Sequence, residues 1–497
     1  MKRKVDVIIV GCGMAGLGAA EVLAGSGLRV LMVDDNAHGG GQLLRTPHNA
    51  GLKSPSSRAP WFDPVKQMGF RGLDRIKGKP IERLQGLQVL GLFPGPSLVV
   101  EAGPGNVQEI QGTSVLLATG ARERFLPFKG WTLPGVISTG GAQILMKSHG
   151  ILPGPETLVG GTGPLQLALA SEILRHHGRV AAVLDLQCWQ SKLGIFPLVH
   201  HQLPRMVEGA MHLYRILAGR VPLKQGVAIL EARGKQALES VVAARLDSRG
   251  TPVPRTRTVY KADTLAVGYG FVANLELAVQ AGCRTVYDPD RGGWTVRVDS
   301  SLETSIPSVF AAGEITGIAG GRKSWVEGIM AARSILETLG QTGNAGPLGS
   351  SFGHKTPGCL ERVRQREMAY GRFLNRLCHI PAAAFRAIDD DTIICRCEEI
   401  TMKEIRRAMA LGFLTPGSIK KETRCSMGRC QGRICGPVIG DILSAFSGQP
   451  PGSMGPVPAR FPVKNVSLDA LAALDIGPAL PGPDSGQVQG PTGGSGR

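Results

Sequence analysis

Cys395, Cys397, Cys430 and Cys435 stand in the frame C-x-C-x32-C-x4-C late in a chain of 497 residues. Thiolates are soft ligands, and two close pairs at this separation can converge on one small cluster of soft metal ions, which is one-electron chemistry. Between Arg396 and Arg433 there are nine Lys or Arg against four Glu. A cluster held by four thiolates is anionic, so a cationic surround would stabilise it. A solvated basic face is the alternative reading of the same charges. Cys425, five residues before Cys430, is a further thiol, read as unligated, with a spare ligand as the alternative.

Two-electron chemistry is written at the other end. Val5–Val10 is an apolar, β-branched run that leads into Gly11-Cys12-Gly13-Met14-Ala15-Gly16, then a helix-compatible stretch, then a second apolar run ending on Asp34 and Asp35. This is strand, G-x-G-x-x-G, helix, strand, acid. The glycines let backbone approach a pyrophosphate at the helix N-terminus, and Asp34, with Asp35 as substitute, is placed for a ribose hydroxyl. Three later segments resemble those of two-dinucleotide flavoproteins and select FAD. They are Gly39-Gly40-Gly41-Gln42, the strand ending Ala118-Thr119-Gly120, and Ala311-Ala312-Gly313-Glu314, whose acid is expected near the ribityl chain.

A second strand–turn–helix unit begins at Thr157 and carries Gly161, Gly163 and Pro164, with Asp185 closing the next strand. Gln166 replaces the third glycine, which normally permits close helix–strand packing. NAD or ATP is the ligand considered for this site; a vestigial layer without nucleotide is the alternative. Asp185 would repel a 2′-phosphate.

The elements that position these groups make an α/β chain: a two-dinucleotide-binding, Rossmann-like flavoprotein followed by a small helical domain. The FAD domain is expected at 1–140 and 260–340, interrupted by the second Rossmann-like unit at 141–259. Residues 341–390 read as a Gly-rich linker and a charged helix, 391–447 as the cluster domain, and 448–497 as a disordered Gly- and Pro-rich tail. Thr401 with Glu404 forms a capping box for a helix through Met409. The formal charge of +17 comes from Lys and Arg spread along the chain, without the block runs of a nucleic-acid-binding arm. Ten cysteines in this length are no disulfide scaffold; Cys12, Cys188 and Cys283 read as buried small hydrophobes, and the thiol pool fits a reducing cytoplasm. The basic, apolar start imitates a signal peptide but is broken by the nucleotide-binding glycines, and no run reaches the length of a spanning helix. At most a peripheral association with the inner face of a membrane is expected.

Further stretches sharpen the picture: Gly130-Trp131-Thr132-Leu133-Pro134-Gly135-Val136, Val267-Gly268-Tyr269-Gly270-Phe271, Gly317-Ile318-Ala319-Gly320, and Thr423-Arg424-Cys425-Ser426-Met427-Gly428-Arg429-Cys430-Gln431-Gly432-Arg433-Ile434-Cys435. From residue 5 to about 445 the chain resembles the large flavoprotein subunit of opine oxidases, hydrogen cyanide synthase and proline/hydroxyproline dehydrogenases, with its bacterioferritin-associated-ferredoxin-like (BFD-like) C-terminal domain. The resemblance implies a [2Fe-2S] cluster on Cys395, Cys397, Cys430 and Cys435. Zinc is the rival, though zinc ribbons usually use C-x2-C pairs. The resemblance also implies a partner subunit of the D-amino-acid-oxidase type that oxidises a C–N bond; a small ferredoxin-like subunit, a quinone or oxygen is the acceptor considered. No general base for substrate oxidation stands out here, so the catalytic residues are unassigned. Two other functions fit the motifs: a self-sufficient NAD(P)H-dependent flavin/iron–sulfur reductase, and a redox-sensing scaffold.

Overall fold

The structure is a computed structural model that describes residues 3–45, 63–103, 105–188, 202–341 and 356–472. Val7–Val10, fully buried, is the central strand of a five-stranded parallel sheet in the order Val309–Ala311, Ser114–Leu117, Val7–Val10, Val30–Asp34, Ile81–Gln85. A strand covered on both faces needs apolar residues on both, which is why these runs are continuous rather than alternating. The helices Met14–Leu23 and Gly321–Thr338 pack together on one face of it.

A second parallel sheet runs Val136–Ser138, Thr264–Gly268, Glu156–Gly161, Arg179–Asp185, Leu223–Gln225. The expected unit at 141–259 is therefore too short. It takes in Val136–Ser138 and Thr264–Gly268, because a short edge strand and a late central strand carry no local mark of the sheet they join. The two units are connected by the antiparallel pair Ala121–Glu123 and Phe271–Ala273. Asn274 ties that crossing together: its side-chain amide donates to the Thr119 carbonyl at 2.9 Å, and its own carbonyl accepts from the Thr119 hydroxyl at 2.8 Å.

The helix Pro357–Leu377 packs against Gly321–Thr338 and delivers the chain to the cluster domain. There the hairpin Ile393–Cys395 and Ile400–Thr401 leads into the helices Met402–Ala410, Pro416–Thr423 and Cys435–Ser447. The Thr401–Glu404 capping box is present. The domain is not a bead on a string. Its buried core, from Ile394 through Ile442, is continuous with that of the second dinucleotide unit. The Trp131 indole donates to the Ile393 carbonyl at 2.6 Å, Arg122 donates to the Arg433 carbonyl at 2.8 Å, and Arg124 grips Asp441 at 2.6 Å.

Two expectations change. Residues 448–472 are not a disordered tail: Arg433 donates to the Val463 carbonyl, Val463 N–H bonds Leu90 O, Phe461 packs edge-on to Phe93, and Lys464 pairs with Asp35. Proline-rich composition cannot build a core of its own, but it can line one that already exists. The remainder of the tail and the Gly-rich stretch 342–355 lie outside the described residues. Cys188 is exposed, whereas Cys12 and Cys283 are buried as expected. Among the described residues no helix is long and apolar enough to cross a membrane.

Candidate redox sites and the second glycine loop

The cluster cysteines come from three places. Cys395 ends the first strand of the hairpin, Cys397 follows in its turn, and Cys430 and Cys435 flank a loop that runs into the helix Cys435–Ser447. The sulfurs of Cys395, Cys425 and Cys435 all lie within 4.8 Å of one another, and all three residues are buried. Thiol hydrogen bonds extend the group, Cys430 to both Cys435 and Cys397, so the four cysteines of the frame and Cys425 form one constellation. A side chain at Gly428 would put its Cβ 2.3 Å from the Cys397 Cβ, so bare backbone is needed where the two ligand loops meet. Cys425, read from sequence as a bystander, is in the tightest part of the group; only tertiary folding brings it beside Cys395.

Hydrogen bonds from Cys425 and then Cys435 pull the Cys395 thiol far below its ordinary range, and Cys435 does the same to Cys430. The Cys425 and Cys435 thiols are pushed up, foremost by their bonds to Cys395. Such a donor set suits soft cations and has no use as a carboxylate or phosphate site.

The flavin motifs also converge. Gly13 starts the helix Met14–Leu23 with no side-chain cap, leaving its first amides free for an anion. A Cβ on Gly13 would have Gly41 Cα as its nearest neighbour at 3.9 Å, whereas on Gly11 it would meet Ala118 O at 2.3 Å. Gly13 and Gly41 thus bound an open groove floored by bare backbone, the cradle a pyrophosphate needs. Gly11 serves close packing instead, with the strand end Ala118 directly behind it. Met14, Ala15 and Gly16 are buried in the helix, Gln42 is exposed, and Thr119–Gly120 turn into the linker strand.

Two of the acids named for the cofactor are also engaged by the protein itself. Asp34 is buried, and its carboxylate accepts from Cys12 N–H at 2.5 Å and from the Asn36 amide and side chain at 2.8 and 2.9 Å. It holds the glycine turn in shape. The substitute, Asp35, is the exposed acid at that strand end. Glu314 is half-buried with its pKa raised by desolvation, and it accepts from Gly320 N–H at 2.7 Å at the start of the helix Gly321–Thr338.

Beneath the Gly313–Gly317 turn lies a group the sequence reading missed. Lys323 and Glu327, both wholly buried, pair at 2.7 Å; Lys323 donates to the Gly313 and Gly317 carbonyls, Glu327 accepts from Gly313 N–H and the Thr316 hydroxyl, and Arg364 closes the network at 2.9 Å. Their i,i+4 spacing, with Trp325, Val326 and Ile329 around them, was the available signal.

The second glycine loop is covered by the protein itself. A Cβ on Gly163 would meet Cys378 Sγ at 2.5 Å, so the end of the helix Pro357–Leu377 stands where the second glycine normally admits a pyrophosphate. The Thr162 hydroxyl donates to Leu377 O at 2.9 Å, and the Gln187 side chain donates to the carbonyls of Arg376 and His379. Asp185 accepts from the Thr162 hydroxyl and Gln187 N–H. Pro164 opens the helix Pro164–Arg175, and Gln166 folds back to bond Gly268 O at 3.1 Å beside Gly161, filling the space its missing glycine would leave. Packed in this way, these residues do not fit a dinucleotide.

Two tests follow. Gly13→Val should purify folded and colourless, since its side chain enters the groove and not the core. Gly11→Val should lose about 3 kcal/mol in thermal or denaturant unfolding through the Ala118 contact; a yellow Gly13→Val protein would refute the groove assignment. In anaerobic stopped flow, saturating NADH or NADPH should leave the flavin oxidised over seconds. Fast bleaching would mean that the Leu377–His379 cover withdraws.

Comparison with known proteins agrees with this geometry. Residues 5–334 match the pyridine nucleotide-disulphide oxidoreductase family, and residues 393–445 match the BFD-like [2Fe-2S] binding domain. The chain is 31% identical to hydrogen cyanide synthase subunit HcnB of Pseudomonas protegens, over 94% of this chain and 97% of that one. It is 30% identical to an opine oxidase subunit of Rhizobium meliloti, over 94% and 98%. The crystal structure of L-proline dehydrogenase from P. horikoshii shares the fold, with a TM-score of 0.67 at 20% identity over 95% of this chain and 80% of that one. The chain therefore belongs to the pyridine nucleotide-disulphide oxidoreductase family and, with its C-terminal BFD-like domain, is an FAD- and [2Fe-2S]-containing oxidoreductase related to subunits of multi-subunit oxidases.

Proposed function

We propose that this chain is the electron-transferring subunit of an amino- or imino-acid dehydrogenase, acting with a D-amino-acid-oxidase-like partner that oxidises the C–N bond of an opine, proline, hydroxyproline or glycine-type substrate. One observation supports the reading: the cluster domain shares a core with the second dinucleotide unit and its C-terminal segment docks on the FAD domain, while among the described residues the second nucleotide loop is covered by Leu377–Cys378. Among the described residues the covered loop gives NAD(P)H no docking place, and in this reading a partner brings the electrons. Bound FAD takes up electrons in pairs, and the cluster passes them on singly.

The protein's own residues hold and orient. Gly13, Gly41 and the helix start seat the pyrophosphate; Asp34 fixes the turn; Asp35 is the acid for the ribose; the Lys323–Glu327–Arg364 network keeps the Gly313–Gly317 turn rigid beneath the cofactor. Cys395, Cys397, Cys430 and Cys435 are the cluster ligands in this reading, and Cys425 supports Cys395 by hydrogen bonding to its sulfur. Hydrogen bonds to ligand sulfur are a known lever on cluster potential. A ferredoxin-like subunit or a quinone would take the electrons away.

Purified alone, the chain should keep its flavin oxidised when mixed anaerobically with opines, proline, hydroxyproline or glycine; co-purified with its partner, it should be reduced by one of them. Reduction of the isolated chain by an amino acid would sink the division of labour. For the cluster, iron, acid-labile sulfide and the S = 1/2 signal after reduction should disappear in Cys395→Ser and Cys430→Ser, because a hard oxygen is a poor substitute for thiolate on iron. FAD should remain bound in both. Cys425→Ser should retain iron and sulfide; its loss of both would make Cys425 a ligand, and stoichiometric zinc in the wild type would replace the cluster assignment altogether.

A further inference from the structure

A cavity of about 540 Å³ lies between the FAD domain, the second dinucleotide unit and the cluster domain. That is within the range of small-molecule sites, roughly 300–1,000 Å³. Part of its wall is the cluster loop itself, Gln431 and Gly432 between two of the cluster cysteines and Gly436 directly after the second. A molecule held there touches the segment that carries cluster ligands. The opposite wall is aromatic: Tyr287 and Trp294, cross-strand neighbours, pack edge to face with ring centroids 5.5 Å apart. Prolines of the segment 450–459 form another side.

The cavity has a polar end. Arg124, Asp441 and His379 all line it. Arg124 donates from Nε and Nη2 to one Asp441 oxygen, at 3.1 and 2.6 Å. Burial and the neighbouring Arg124 lower the His379 pKa, so its imidazole is neutral at neutral pH and offers one N–H and one lone pair. The second arginine of the lining, Arg122, is paired with Glu276 at 2.7 Å. Each guanidinium is thus matched by a carboxylate. A site without net charge gives little hold to a phosphate-bearing ligand, and its size excludes a protein carrier. Apolar, aromatic walls with a few polar groups at one end suit a neutral planar molecule that bears carbonyl oxygens.

We propose that this cavity is the site of electron exit and that its occupant is a quinone, which rests on the reading above that electrons leave through the cluster domain. The balance is simple. The quinone is the oxidant, and the substrate oxidised by the partner subunit is the reductant. Two electrons arrive one at a time through the loop of Cys430 and Cys435. Each quinone C=O becomes C–OH, and the two protons gained are drawn from solvent through the polar end, where His379 and Asp441 stand.

Gly440 makes the inference testable. It lines the cavity from the helix Cys435–Ser447, and a Cβ built on it has no neighbour within 4 Å. Gly440→Leu therefore fills the cavity without a core clash and replaces a poor helix former with a good one. Ser444→Leu, one turn further along the same lining, is the independent second variant. Holoenzyme is reduced anaerobically, and the loss of its S = 1/2 signal is followed after mixing with menadione or with ferricyanide; menadione binding to oxidised enzyme is measured by calorimetry. Wild type should bind menadione saturably and be reoxidised by both oxidants. Either variant should weaken menadione binding by at least about tenfold, roughly 1.4 kcal/mol, and slow menadione reoxidation in proportion, with the ferricyanide rate unchanged. Menadione binding and reoxidation at wild-type levels in both variants would overturn the site. A cluster that ferricyanide cannot reoxidise in wild type would overturn the underlying relay reading instead.

Discussion

The contact on which the remaining function depends is the half-buried pairing of Arg124 with Asp441. It joins the linker strand region between the two dinucleotide units to the helix that follows the last cluster cysteine. Removing a charge from water costs several kcal/mol unless a partner meets it, so such a pair tolerates little slippage once formed. Around it the Trp131–Ile393 and Arg122–Arg433 hydrogen bonds add directional constraints, and one apolar core joins the cluster domain to the second dinucleotide unit. Electron transfer falls off steeply with distance. A chain that hands electrons between a flavin domain and a small cluster domain therefore needs the second domain clamped to the first, not tethered to it.

The C-terminal segment belongs to the same clamp. Residues 448–472 reach from the cluster helix back to the outer edge of the FAD domain, where Lys464 meets Asp35 and Val463 bonds Leu90. Their prolines cannot found a core, but a segment that gives up little conformational freedom on docking is cheap to order. It also supplies a wall of the cavity beside the cluster.

The second dinucleotide unit shows how a fold outlives one use. Its sheet and helix are intact and its first two glycines keep positive φ, yet the end of the helix Pro357–Leu377 lies on the loop. The unit now serves as a platform: its sheet shares a core with the cluster domain. Gln166 is consistent with that change, since its amide is spent on Gly268.

The sequence by itself determined what depends on local spacing. A glycine turn between two apolar runs and the Thr401–Glu404 capping box rest on interactions within a few residues, and both are present. Tertiary structure decided what depends on who the neighbour is. Asp34 and Asp35 are adjacent in the chain, but only the fold turns one inward to Cys12 and leaves the other at the surface. Cys425 lies outside the cysteine frame and is brought against Cys395 by a loop closure with no local signature. Leu377 and Cys378 look like an ordinary helix end until they are seen on a glycine loop more than two hundred residues earlier. The physical reason is the same in each case: turns, caps and periodicity are set by short-range sterics and hydrogen bonds, whereas solvent exposure, charge pairing and the occupancy of a groove are properties of surfaces that exist only after distant segments have packed.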